Sequence, residues 1–129
     1  MKITKFEDLG IWQLSLKITK EVYDSTAQKE FSRDFGLRDQ IRRAIVSVSS
    51  NIVEGFEKNN NNEFIRFLKI AKGSVGEVRS QLYIALTVQY IEKEEFERIN
   101  NDLENLAGQI GGFVVYLEGK RTNKEFVKK

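Results

Sequence analysis

The sequence predicts an all-α fold, an up-and-down antiparallel four-helix bundle, on three observations. Proline is absent from the 129 residues, so nothing interrupts long stretches of Leu, Ile, Lys, Glu, Arg and Gln. Alternation of apolar and polar residues with period two is nowhere sustained. Apolar residues instead recur at steps of three and four in four separate segments, the period of helices that each bury one face.

Helix one is predicted over 6–26, with Leu9, Trp12, Leu16, Thr19 and Tyr23 as its stripe and Thr4 with Glu7 as a capping box. Helix two is predicted over 37–57 from Leu37, Ile41, Ile45, Val48, Ile52 and Phe56, entered from Ser32–Gly36 and ended near the Asn59–Asn62 run. Helix three follows over 62–90, where Phe64, Leu68, Ala71, Val75, Val78, Leu82 and Ala85 alternate four and three, with an Asn of the preceding run as N-cap. Phe96, Ile99, Leu103, Leu106, Ile110, Phe113 and Leu117 predict helix four over 93–119. Stripes with a mean spacing near 3.5 suit helices packed at shallow angles, and short connections make neighbours antiparallel. One domain over 1–119 is expected. Residues 120–129 hold five basic side chains and one acid, and are expected to form a frayed basic tail.

Composition narrows the chemistry. There is no cysteine, which excludes disulfides, thiol nucleophiles and thiolate metal sites. There is no histidine, which excludes Ser-His-Asp triads and removes the commonest metal ligand and neutral-pH base. The first ten residues carry Lys2, Lys5, Glu7 and Asp8, and no apolar run approaches the ~20 residues of a membrane span. A soluble, cytoplasmic, non-enzymatic protein without cofactor, metal or membrane association is the expectation.

The most informative polar pattern is on helix two, where Gln40, Arg43, Ser47, Asn51 and Glu54 share one face. Arg66, Gly73, Ser74 and Glu77 form a matching row on helix three. Such rows are either a solvated face or a hydrogen-bonded network; the mixture of Gln, Ser and Asn suits the second as well as the first. Glu54 and Glu77 lack the Glu-x-x-His partners of a carboxylate metal site, so Arg43 and Arg66 are their expected partners. No catalytic residue is assigned.

Net charge is only +2, but it is unevenly spread. Between 38 and 79 there are eight cations and five acids; between 92 and 118 there are seven acids and two cations. Arg38, Arg42, Arg43, Lys69 and Lys72 are candidate phosphate contacts, and the asymmetry equally suits head-to-tail joining of subunits. Apolar residues also exceed the four stripes: Ile11, Leu14, Ile18 and Val22 on helix one, Tyr83, Ile84 and Val88 on helix three, Val114, Val115 and Tyr116 on helix four. They widen the core or form a subunit interface. Gly73, Gly76, Gly108, Gly111 and Gly112 raise a similar choice, since a mid-helix glycine costs ~1 kcal/mol against alanine unless close approach compensates.

Phe6-Glu7-Asp8-Leu9 with Trp12-Gln13, Gln40-Ile41-Arg42-Arg43-Ala44, Ser47, Ser50-Asn51-Ile52 and Glu54-Gly55-Phe56 form an ordered series. With Phe67-Leu68, Ile70-Ala71, Gly73-Ser74 and Glu77, they closely resemble the four-helix-bundle family of ribosomal RNA intervening-sequence proteins over about residues 6–118. The resemblance implies a left-handed up-and-down bundle, often a homopentamer, encoded in some cases inside insertions in large-subunit ribosomal RNA genes, with no established enzymatic activity. A related accessory protein of diversity-generating retroelements is a pentamer that binds a reverse transcriptase and is proposed to contact nucleic acid through a basic surface. The motif positions carried over are Gln40, Arg43, Ser47, Asn51, Glu54, Gly55, Gly73, Ser74 and Glu77. Val53 stands where Ala is usual and Lys72 where Arg is usual. Two functions follow as expectations: a homo-oligomer that contacts RNA or DNA phosphates, or an oligomeric protein scaffold without nucleic acid.

Overall fold

Residues 3–120, those the computed structural model describes, form a short 3-10 turn at Phe6–Asp8 and five helices. These are α1 (Gly10–Thr26), α2 (Lys29–Arg33), α3 (Phe35–Glu57), α4 (Asn61–Thr87) and α5 (Lys93–Lys120). No strand occurs among the described residues. The four long helices, α1, α3, α4 and α5, correspond to the four apolar segments. Each packs on the next, and α5 closes back on α1.

Cross-helix pairs fix the directions. Ser47 meets Ser74 while Gly55 meets Phe67; Arg79 meets Glu104 while Tyr83 meets Phe96; Lys17 meets Asp102 while Glu21 meets Arg98. In each set, rising numbers on one helix face falling numbers on its neighbour, so adjacent helices run antiparallel. The single core lies along the bundle axis. It includes every stripe residue of α4, and on α3 the side chains of Ile41, Ile45, Val48, Ile52 and Phe56. On α5 the stripe is buried apart from Phe113, which is half-buried beside the more deeply placed Val114.

Helix one departs from expectation. Ile11, Ser15, Ile18 and Val22 form its buried row, whereas Leu16 and Tyr23 of the predicted stripe are 44% and 39% exposed. Both rows keep helical spacing, so period alone does not choose between them. Burial goes to the β-branched side chains and to Ser15, whose hydroxyl donates to the Trp12 carbonyl at 2.6 Å and so enters the core already satisfied. The capping box is also absent: Phe6–Asp8 is a 3-10 turn, and α1 begins at Gly10 with no side-chain cap. The turn is held by Leu9 N–H donating to the Phe6 carbonyl and by the edge-to-face Phe6–Trp12 pair, with centroids 5.2 Å apart.

The connections follow local chemistry. α2 was not predicted; it carries Phe31, fully buried and packed against Tyr90 with ring centroids 5.3 Å apart. Asp34 then caps α3 through Leu37 N–H at 3.1 Å, and its other oxygen accepts from the Tyr90 hydroxyl at 2.9 Å, tying the α4–α5 connection to the start of α3. Asn59 takes a left-handed φ of 54°, which Asn tolerates, and Asn60 caps α4 by accepting from Glu63 N–H at 3.0 Å. α4 ends at Thr87 rather than 90, and the chain turns through Gln89 at φ 66°. Lys120 is the last residue of α5; the predicted tail beyond it lies outside the described residues.

Gly55 is the glycine the packing requires. A Cβ there would lie 2.6 Å from Phe67 Cβ and 3.1 Å from Phe64 Cδ1, so α3 and α4 meet at this point by close approach. By contrast, no heavy atom lies within 4 Å of a Cβ built at Gly73, Gly76, Gly108 or Gly112, and Gly111 meets only the end of Lys72. Close approach inside the bundle does not account for these five.

Candidate functional site

The polar row of α3 divides into a centre and two ends. At the centre, Ser47 Oγ and Ser74 Oγ are 3.1 Å apart, bridging α3 and α4, and Asn51 Nδ2 donates to the Ser47 carbonyl at 2.8 Å and to Ser47 Oγ at 3.0 Å. This is the hydrogen-bonded network that the residue mixture allowed. Toward the ends, Gln40, Arg43 and Glu54 are exposed, as are Gly73 and Glu77 on α4. A shallow groove of about 310 Å³ gathers Gln40, Arg43, Ser47 and Glu77 with Ala44 and Gln81. Gln81 was missed by sequence reasoning; its buried Oε1 finds no partner among the described residues.

The expected glutamate–arginine pairs do not form. Arg66 NH2 reaches Glu63 Oε1 at 3.0 Å, one turn back on its own helix, and its guanidinium lies 4.5 Å from the Phe67 ring centroid. That hydrogen bond holds the Glu63 carboxyl below its ordinary range and raises Arg66. Neither Glu54 nor Glu77 makes an ion pair among the described residues, and no group of three or more Asp or Glu side chains among them is placed to hold a metal ion.

The five candidate phosphate contacts fall on two sides of the bundle. Lys69 Nζ lies 3.8 Å from Glu118 Oε2, and the amine of Lys72 lies beside Gly111, so both face the α4–α5 seam. Arg79 and Glu104 meet there at 3.0 Å, so the basic and acidic parts of the sequence face each other within one chain. Arg38, Arg42 and Arg43 project from α3 instead. Arg38 Nε donates to Asp39 at 2.8 Å, which holds the Asp39 carboxyl below its ordinary range, and Arg38 also donates to the Ser32 carbonyl. Arg42 Nε donates to Thr26 Oγ1 at 2.8 Å, and its guanidinium lies 4.5 Å from the Tyr23 ring centroid. Arg43 makes no hydrogen bond or ion pair among the described residues; its charge acts on Asp39 through space, and its donors are open to solvent.

Arg43 stands at a junction. It lines the α3–α4 groove, and with Tyr23, Asp39, Arg42, Val46, Ser47 and Ser50 it lines a wider groove of about 740 Å³ between α1 and α3. Beyond Ser50 a third depression of about 430 Å³ continues to Phe6, Trp12, Ser49, Val53 and Glu54. Sequence reasoning assigned none of Tyr23, Val46 or Ser50 to a site. The available signal was the pairing of Trp12 and Tyr23 on one row of helix one, opposite the serines of helix two.

No helix among the described residues is long and apolar enough to cross a membrane. Among solved structures, the chain is similar to a protein with unknown function from the S23 ribosomal protein family of Bacteroides thetaiotaomicron. It superposes with a TM-score of 0.74 at 24% identity, covering 81% of this chain and 97% of that one, a likeness of fold. No curated protein matches. The family model described as 23S rRNA-intervening sequence protein matches residues 7–112, which takes in α1 to α4, most of α5 and every position of the polar rows. The chain therefore belongs to the 23S rRNA-intervening sequence protein family.

Proposed function

We propose that this chain is a non-enzymatic binding protein that assembles with copies of itself, a pentamer by the family resemblance, and contacts nucleic-acid phosphates through α3. The observation that carries the reading is Arg43: an exposed guanidinium without an internal hydrogen bond, beside Arg42 and the hydroxyl of Ser50. Guanidinium groups recognise phosphate in bidentate fashion, and serine hydroxyls add donors that require no charge. Lys69 and Lys72, on the α4–α5 seam beside Glu118 and Gly111, are not part of this surface.

Anisotropy of a labelled RNA measured against salt tests the proposal. Binding weakens as salt rises, and Arg43→Glu lowers the log–log slope by about 0.7–1 for the lost phosphate contact. A chain that binds no RNA at low salt, or an Arg43→Glu variant with unchanged affinity and slope, rules this reading out.

A second reading, a protein scaffold that presents repeated surfaces to a partner such as a reverse transcriptase, has its own support. Ile70, Tyr83, Ile84 and Val88 are 43–49% exposed along α4, and Val115 is 67% exposed on α5. Scattered apolar residues are ordinary, but Ile70, Ile84 and Val88 lie within about 40° of one another around the helix axis, near the open Gly73, which suits docking of a protein.

A further inference from the structure

We infer that the α1–α3 groove is a track for single-stranded nucleic acid, in which Tyr23 and Trp12 are stacking platforms and Arg43 is the phosphate anchor. This rests on the nucleic-acid reading above and specifies both the site and the strandedness of the ligand. The depressions around Tyr23 and Trp12 adjoin at Ser50, which lines both, so they follow one another along α3.

The platforms sit on one row. Tyr23 and Trp12 are eleven residues apart on α1, only ~20° apart around its axis and ~16 Å apart along it at 1.5 Å per residue. Leu16 and Thr19 lie between them on the same row, the stripe whose spacing suits a core but which packs at the edge of the bundle. A use for the half-exposed rings explains why large side chains occupy that edge. Tyr23 is already under the Arg42 guanidinium, which is fixed by Thr26 and by the Tyr23 carbonyl. A base entering there meets a ring and a guanidinium plane held in place before it arrives, with Val46 as the apolar wall. At the other end Phe6 holds Trp12 edge-on.

Between the rings the α3 side presents Ser47 and Ser50, and Arg43 stands next to Arg42 toward the Tyr23 end. Aromatic platforms flanking a cationic, hydroxylated floor are the general means of holding a single strand, since every base has a face to stack. A duplex hides those faces. Glu54 at the Trp12 end only accepts hydrogen bonds, whereas Arg42 and Arg43 outnumber the Arg38-bonded Asp39 at the Tyr23 end, so a phosphate is directed to the Tyr23 end, where Arg43 stands.

The test compares a labelled single-stranded RNA of about ten nucleotides with the duplex of the same sequence, by anisotropy at fixed salt. The expected result is preference for the single strand. Tyr23→Leu, which keeps an apolar side chain but removes the ring, weakens single-strand binding about tenfold and duplex binding much less. Ser50→Glu, at an exposed position, abolishes it without loss of helical signal or melting temperature, whereas Arg43→Gln weakens binding of both ligands. Equal binding of the two ligands with no response to Tyr23→Leu or Ser50→Glu overturns the track while leaving phosphate contact through α3 intact. No binding of either ligand overturns both readings. A change of mass in light scattering on Ser50→Glu, with RNA affinity unaltered, assigns the groove to a protein contact and overturns the track.

Discussion

At the scale of single residues, two positions show how the packing constrains the sequence. Gly55 lets the backbone of α3 reach Phe67, and an alanine methyl there meets a Cβ at 2.6 Å that has no rotamer to escape by. Gly55→Ala is therefore expected to destabilise by about 1–3 kcal/mol, the cost of overpacking, despite alanine's better helix propensity. Urea unfolding checks it: a gain in stability would mean that α3 and α4 separate at this point without cost. Glu21 poses a different problem. Its side chain, 13% exposed between α1 and α5, takes Arg98 at 2.9 Å but leaves Oε1 without a partner, while Lys17 bonds Asp102 close by. Burial first, and then the neighbouring Asp102, raise the Glu21 carboxyl above its ordinary value of 4.5, against the pull of Lys17 and Arg98. With the folded value above the unfolded one, the folded state holds this proton more tightly. The resulting stabilisation is complete below pH 4.5 and is lost as pH rises through the folded value. Glu21→Gln removes that loss and leaves an amide able to donate to Asp102. Its urea midpoint should accordingly change less than that of the parent chain between pH 4.5 and neutrality. A parent-like pH profile in the variant would show that Glu21 ionises in the folded state as freely as in the unfolded one.

At the scale of elements, the sequence is most legible where one row of residues is both the most apolar and the most regularly spaced. α4 is the clear case: its stripe is buried throughout, and Asn60 caps it as the asparagine run suggests. α1 is not, because it carries two rows of equal period. What chose between them was cross-helix fit, the slim Ser15 and the β-branched Ile11, Ile18 and Val22 entering a space that Trp12 and Tyr23 would overfill. α2 was illegible for another reason: five residues are too few for a period, and Phe31 is buried by Tyr90, almost sixty positions away. The polar rows were legible as faces but not as bonds. Ser47, Asn51 and Ser74 could be placed on facing rows from their spacing, yet the choice of Glu63 by Arg66, one turn away on the same helix, depends on side-chain reach and left Glu54 acting on Arg66 only through space. Nor could spacing reveal that Lys69 faces α5 while Arg43 faces α1. The charges of a helix are listed in order along the chain, but the groove each enters depends on which neighbour closes the bundle.

At the scale of the whole molecule, that closure changes the meaning of the charge asymmetry. In sequence the basic and acidic segments suit head-to-tail joining of subunits, but Lys69–Glu118 and Arg79–Glu104 engage them along one seam of the same chain. Exposed along α4 and at its C-cap are Ile70, Gly73, Gly76, Ile84 and Val88, with Glu77 among them, and no side chain or other helix among the described residues comes within 4 Å of a Cβ built at either glycine. If copies associate, this face supplies buried apolar area and lets helix backbones approach, so the contact should resist salt. Nucleic-acid binding through Arg43 should not, since it depends on displaced counterions. The expected outcome is a multi-chain mass in light scattering that is constant from about 0.05 to 1 M salt, while RNA affinity measured on the same sample falls steeply over that range. Ile84→Glu, placing a second carboxylate on the face that already carries Glu77, should release single chains with their helical content intact. A mass that falls with salt and ignores Ile84→Glu would return the joining role to charged side chains. The α4 row would then lie open to a different protein, and Gly73 and Gly76 would mark where that partner comes closest.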